Sequence, residues 1–163
     1  MKKSKPNLAY NHVLVDYGEI MPIISEQLEC GLAVRFPIKG ASMLPLLREG
    51  RDTVVLEMPR GKPQRLDVVL YRRDDGDYVL HRVIAVSGDR YTMCGDNQHI
   101  VERGIASDRI IAVMTSYYKG EQEKSISSLA YKFYCSRRVF IRRAKNLLLR
   151  IKRRLFRKRK DDQ

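Results

Sequence analysis

No tryptophan occurs in the 163 residues, and cysteine is scarce, with Cys30, Cys94 and Cys135 only. The three cysteines are odd in number and widely spaced. They form no CxxC pair and no disulfide framework, which fits a reducing compartment. Together with His12, His81 and His99 they give no metal-ligand spacing, so neither a metal nor another cofactor is expected. No stretch approaches the roughly 18 to 20 apolar residues that a membrane-spanning helix requires. The opening MKKSKPNLAYNHVLVDYGE meets Asp16 and Glu19 before a hydrophobic run develops, against a cleavable secretory signal. One more absence is local: no acidic residue lies between Glu123 and Asp161.

What is present suits one compact domain with an appendage: 44% hydrophobic residues supply a core, and the formal charge is +13. That charge is not spread evenly. Residues 1–123 carry 17 Lys+Arg and 17 Asp+Glu, whereas residues 124–163 carry 15 Lys+Arg against Asp161 and Asp162 alone. The body is neutral and the excess belongs to the last quarter.

Three regions are expected. Residues 1–33 hold a Lys-rich lead and a helix from Asp16 to Gly31, with Ile20, Ile23, Ile24 and Leu28 on one face and Pro22 tolerable only near the first turn. Residues 34–120 read as short strands: Ala33–Ile38, Asp52–Met58, Asp67–Tyr71, Tyr78–Val86, Arg90–Cys94 and Ile110–Tyr118. Asp75-Gly76 supplies a hairpin turn between two of them. Their spacing predicts a mainly β, antiparallel domain, coiled or partly closed. Residues 121–163 predict a basic amphipathic helical tail, or two helices in tandem.

Three segments of the body invite a catalytic reading. In Gly40-Ala-Ser-Met-Leu-Pro45, Gly40 frees the chain and Pro45 fixes the following turn, which presents Ser42 on a constrained corner. A base in reach would make Ser42 a nucleophile, with the Ser42 and Met43 N–H groups placed for an oxyanion. The bland alternative is a serine satisfying an ordinary turn. Alternation puts His81 on the face of Val79, Val83 and Ala85, where a lone histidine is more often a core residue than a catalyst. Gly95-Asp96-Asn97-Gln98 is turn chemistry, with Glu102 six residues after Asp96.

In combination these segments resemble the type I signal peptidases, in the serine peptidase clan that includes the LexA-type self-cleaving repressors. The residues that carry the resemblance are Gly40-x-Ser42-Met43-x-Pro45, Gly50 and Asp52, Leu66-Asp67-Val68-Val69, His81-Arg82-Val83-Ile84, Gly88-Asp89 and Gly95-Asp96-Asn97, spanning about residues 34–115. The resemblance implies a coiled β fold with Ser42 as nucleophile. The best-known bacterial branch uses a lysine base; His81 in that place is similar to the archaeal and endoplasmic-reticulum branch. There a histidine is paired with acids, which implies Asp96 and Glu102 as the groups that orient and stabilise the imidazole. Small side chains beside the cleaved bond are implied as well. The chain departs from the family at Arg51, between Gly50 and Asp52, and at Met93-Cys94 before the glycine turn. Classical members are membrane-anchored; the lack of a hydrophobic segment here argues against an ordinary secretory role.

The tail supplies the expected location. Phe133, Phe140, Leu147, Leu148, Ile151 and Leu155 form an apolar stripe among Arg142, Arg143, Arg153 and Arg154. Such a helix suits an anionic membrane surface, where apolar burial adds to about 1 kcal/mol per basic group near the surface. Nucleic acid uses the charge but not the apolar stripe. The resulting expectation is a serine endopeptidase that cleaves a leader or pro-segment of a precursor, cytoplasmic and peripheral at the inner face of the membrane. The alternatives are a catalytically silent peptide-binding module and a nucleic-acid-binding protein.

Overall fold

The computed structural model describes residues 17–141. Helix α1, Tyr17–Glu29, buries Met21, Ile24 and Leu28, three residues at i, i+3 and i+7. Ile23, expected on that face, is 59% exposed, because the buried stripe runs through Met21 instead. Pro22 falls inside the helix. Gly31, at φ 76°, reverses the chain after the helix; its N–H bonds the Leu28 carbonyl and the Leu32 N–H bonds that of Gln27.

Eight strands follow: β1 Val34–Pro37, β2 Asp52–Glu57, β3 Val68–Arg72, β4 Tyr78–Ser87, β5 Arg90–Cys94, β6 Glu102–Ala106, β7 Ile110–Lys119 and β8 Gln122–Ser125. All pair antiparallel in one sheet of order β1-β2-β7-β3-β4-β5-β6, with β8 added to β7. Six of these were legible from β-branched runs; β6 (ERGIA) and β8 (QEKS) are too polar to announce themselves. The β3–β4 turn uses Gly76 at φ 94°, as its Asp-Gly sequence predicts.

The two faces of the sheet bury different clusters. On one side α1, Phe36, Leu46, Leu47, Leu56, Val68, Leu70 and Met114 pack together; on the other lie Val69, Tyr71, Val83, Tyr91 and Met93. Central strand β3 is accordingly buried on both faces from Val68 to Tyr71. A register shift between Val83 and Ala85 ends the alternation of β4, and Ala85, expected inside, is exposed.

The segment after residue 120 does not separate from the body where its charge begins. Strand β8 completes a hairpin with β7, and residues 129–141 form a second helix, α2. Tyr131 and Cys135 of α2 are buried in the α1-side core, so the β domain and the start of the basic segment share one interior. No helix among the described residues is long and apolar enough to cross a membrane.

Candidate active site

Strand β1 delivers the chain into the Ser42 corner. Gly40 takes φ 76°, after which residues 42–46 turn tightly. Met43, Leu46 and Leu47 are the buried anchors of that turn, which leaves Ser42 half-buried rather than sunk in the core. The Leu44 N–H bonds the Ala41 carbonyl at 3.2 Å and the Leu47 N–H that of Met43 at 3.0 Å. The corner is also held from outside. Asn97 donates its backbone N–H to the Ser42 carbonyl at 2.8 Å and its side-chain amide to the Ala41 carbonyl at 3.2 Å. Gly95 packs so closely that a Cβ there would lie 2.6 Å from the Ser42 carbonyl oxygen and 3.1 Å from the Ser42 Cβ. Glycine is needed at 95 for this approach, not for an unusual φ.

His81 is 1% exposed and lines the same cleft as Ser42, a cavity of about 310 Å³ that also meets Phe36, Ile38, Tyr78 and Leu80. It lies where β4 extends past its neighbour: β4 pairs with β5 only from Arg82 onward, and Tyr78–His81 pair with β3. Strand alternation places Tyr71, diagonal to His81 across β3 and β4, on the imidazole's face. The Tyr71 hydroxyl lies 3.2 Å from His81 Nδ1, and Glu102 Oε1 lies 3.4 Å from the same nitrogen. Glu102 reaches that face through a lateral row, paired with Met93, which pairs in turn with Val83. Arg73 grips Glu102 in two hydrogen bonds of 2.8 and 2.5 Å.

The electrostatics follow from this enclosure. Burial drives the His81 pKa down from 6.5 to about 4; Glu102 works against that shift and Arg73 adds to it. Burial alone would raise the Glu102 carboxyl, but Arg73 and the Tyr71 hydroxyl outweigh it and hold the group below its ordinary value. Burial, then the neighbouring Glu102, pushes the Tyr71 phenol upward, so it stays a donor. An ionised carboxylate offers only acceptors, so Glu102 favours a ring proton on Nδ1, whereas a Tyr71 hydroxyl donating to that nitrogen favours it on Nε2. The first of these is the tautomer a general base needs.

Asp96 occupies another place. Arg82 Nε and Nη2 grip its two oxygens at 2.8 and 2.7 Å, and the Tyr134 hydroxyl of α2 donates to it at 2.8 Å. Arg82 and Asp96 are 2% and 4% exposed. Arg82 follows His81 in β4 and so points to the opposite face, taking Asp96 with it. Of the two acids expected to serve the imidazole, Glu102 stands beside it, while Asp96 closes a buried ion pair with Arg82 and bears on His81 only through its charge, which favours the protonated ring. Arg82 also donates to the Leu66 carbonyl at 2.7 Å and the Tyr131 hydroxyl at 3.1 Å. Leu66 holds φ 85° at that junction.

Elsewhere, Arg51 covers the buried Asp52 with hydrogen bonds of 2.6 and 2.8 Å, so this residue between Gly50 and Asp52 acts as a lid on the aspartate. Tyr71, Arg73 and Tyr134 were not legible as site residues, since each joins the network only through strand register or the docking of α2. The diagonal of the β3–β4 hairpin is the one signal that could have found Tyr71. Of the stripe expected to meet a membrane, Phe133 and Phe140 are on α2 and are 73% and 71% exposed. Arg142, Arg143, Leu147, Leu148, Ile151, Arg153, Arg154 and Leu155 lie outside the described residues.

No curated protein sequence matches the chain. The family model described as signal peptidase, peptidase S26, matches residues 23–139, from α1 through the β sheet into α2, with Ser42, His81, Asp96 and Glu102 all inside the match. The chain therefore belongs to the signal peptidase family S26.

Proposed function

We propose that the protein is a serine endopeptidase with Ser42 as nucleophile and His81 as general base. The observation that carries this reading is the cleft that Ser42 and His81 both line, with Glu102 and Tyr71 behind the imidazole. A substrate segment lies extended along Tyr78–His81, where β4 runs past β5, and adds its backbone to that edge. Ser42 Oγ attacks the peptide carbonyl as its proton passes to His81 Nε2, and the Ser42 and Met43 N–H groups receive the oxyanion. The intermediate collapses, the C–N bond breaks, and the imidazolium returns the proton to the leaving amine. Water, deprotonated by His81, then hydrolyses the acyl-Ser42 ester and frees the enzyme. Glu102 stabilises the transient imidazolium throughout. Labelling by a fluorophosphonate probe tests the reading: it is expected at Ser42 and absent from Ser42→Ala.

A second reading has one observation in its favour. Arg73 neutralises the acid that faces His81, and burial leaves a base of pKa about 4, both of which weaken imidazolium stabilisation. A peptide-binding module on the same cleft predicts peptide capture with no probe labelling of either form.

The substrate class we propose is a precursor with a leader or pro-segment, met at an anionic membrane surface on the cytoplasmic side. Support comes from Phe133 and Phe140, which α2 holds outward beside Lys132, Arg137 and Arg138. Retention on DNA with no binding to anionic vesicles would assign the helix to nucleic acid instead.

A further inference from the structure

The helix that carries the exposed phenylalanines is tied to the Ser42 corner through hydrogen bonds to two successive residues of one turn, Asp96 and Asn97. Its inner face sets Tyr131, Tyr134 and Cys135 against Arg82 and Asp96. Asp96 in turn belongs to the turn Gly95-Asp96-Asn97-Gln98, closed by a Gln98 N–H to Gly95 carbonyl bond of 3.1 Å. The next residue, Asn97, holds the Ser42 and Ala41 carbonyls. Three hydrogen bonds thus reach Asp96 from two elements: two from Arg82 in β4 and one from Tyr134 in α2.

We propose that Tyr134 is a positioning residue for Ser42, acting through Asp96 and Asn97, so that docking of α2 sets the geometry of the nucleophile. The reading rests on the Ser42 peptidase assignment for its kinetic consequence but not for its structural one. Arg82 pairs both oxygens of the buried Asp96 carboxylate, and the Tyr134 hydroxyl adds a second donor to Oδ2 from a separate element, a bond that is costly to lose in a buried site. Burial together with the Asp96 charge keeps the phenol protonated and donating. With Gly95 packed against Ser42 with no room for a Cβ, any shift of the turn is passed directly to the serine backbone. A partner that pulled α2 from the sheet would therefore loosen Ser42 without touching the cleft. The device is specific to Tyr134 among the aromatic residues of α2: Tyr131 bonds Arg82 rather than the acid, and Phe133 and Phe140 face away.

The test uses the full chain with Tyr134→Phe, which keeps the ring and removes one hydroxyl. Amide exchange followed by NMR reads the brace directly. The Asn97 amide, donor to the Ser42 carbonyl, is expected to exchange about tenfold faster in the variant, while the Val69 amide in the middle of β3 is unchanged. Unchanged exchange at Asn97, or acceleration spread equally to Val69, would overturn the proposal. The kinetic arm is fluorophosphonate labelling of Ser42: the limiting rate is expected to fall about tenfold with the half-saturating probe concentration unchanged. Asn97→Ala keeps the backbone donor to Ser42 but removes the side-chain bond to the Ala41 carbonyl at the other end of the path, and serves if Tyr134→Phe does not fold. Combined with Tyr134→Phe, it should give much less than the product of the two single effects, whereas full additivity would contradict a shared path. Wild-type protein that never labels would defeat the peptidase reading, and Asn97 exchange would still decide the brace.

Discussion

Glu102 Oε1 stands 3.4 Å from Nδ1 of His81, with the Tyr71 hydroxyl 3.2 Å from the same nitrogen. In the proposed reaction the ring proton sits on Nδ1, facing a carboxylate that cannot donate, and the lone pair on Nε2. Glu102→Gln puts an amide with donor hydrogens opposite Nδ1 and permits the reverse tautomer, in which Nε2 is already protonated. The rate of Ser42 labelling at pH 7 is expected to drop by about 100-fold or more, the pattern of a base held in the wrong tautomer. Tyr71→Phe leaves Glu102 in place and is expected to cost about tenfold or less. Equal rates for wild type and Glu102→Gln would show that the acid does not govern the imidazole.

The burial of His81 makes stability depend on pH. The folded protein binds the imidazole proton only near pH 4, whereas the unfolded chain binds it near pH 6.5. The unfolded state therefore carries more protons across that window, and stability rises with pH through it. The contribution is complete above pH 6.5 and is lost as pH falls to 4, amounting to about 3 kcal/mol. Urea midpoints at pH 7 and 4.5 should differ more for the wild type than for His81→Gln, which has no proton to gain. A parallel pH dependence in both would contradict a neutral buried histidine.

Gly95→Ala tests the contact behind Ser42. The added methyl meets a backbone oxygen at 2.6 Å, which cannot swing away as a side chain would. A loss of about 1–3 kcal/mol in unfolding free energy is expected, with a fall in Ser42 labelling larger than the same loss produces at a distant site. A Gly95→Ala variant as stable and as reactive as the wild type would mean that the turn and the corner are not in contact.

The outward face of α2 predicts lipid binding. Vesicles containing an anionic lipid should retain the full chain, and replacing Phe133 and Phe140 by serine should weaken retention about tenfold or more. Vesicles of neutral lipid should retain little. Removing residues 125–163 outright is a poor substitute, because it strips Tyr131 and Cys135 from the core.

The sequence announced the parts of this molecule whose signal is local. Strands β2, β3, β4 and β7 are runs of Val, Ile, Leu and Tyr, and the glycines at 31, 40 and 76 mark real changes of chain direction. Ser42 stood out from its Gly/Pro setting, whereas the strand neighbours of His81 pointed to a core histidine and only the resemblance to signal peptidases suggested a base. What depended on register was not visible. Asp96 and Glu102 are six residues apart and chemically alike, but β6 carries Glu102 to the imidazole's face while Arg82 draws Asp96 to the other. Nor did the onset of positive charge at Lys124 reveal that the chain still had a strand and a core-packed helix to contribute. Charge marks what faces solvent: β8 buries no residue, and α2 keeps Lys132 and Arg137 exposed while burying Tyr131 and Cys135.

The most direct test of the central claim is the site of covalent labelling by a fluorophosphonate probe, mapped by mass spectrometry on the full chain. The account predicts a single adduct on Ser42 that is absent from Ser42→Ala and strongly slowed in His81→Gln. Peptide binding in the same cleft with no adduct on Ser42, under conditions where the probe is shown to enter the cleft, would contradict it.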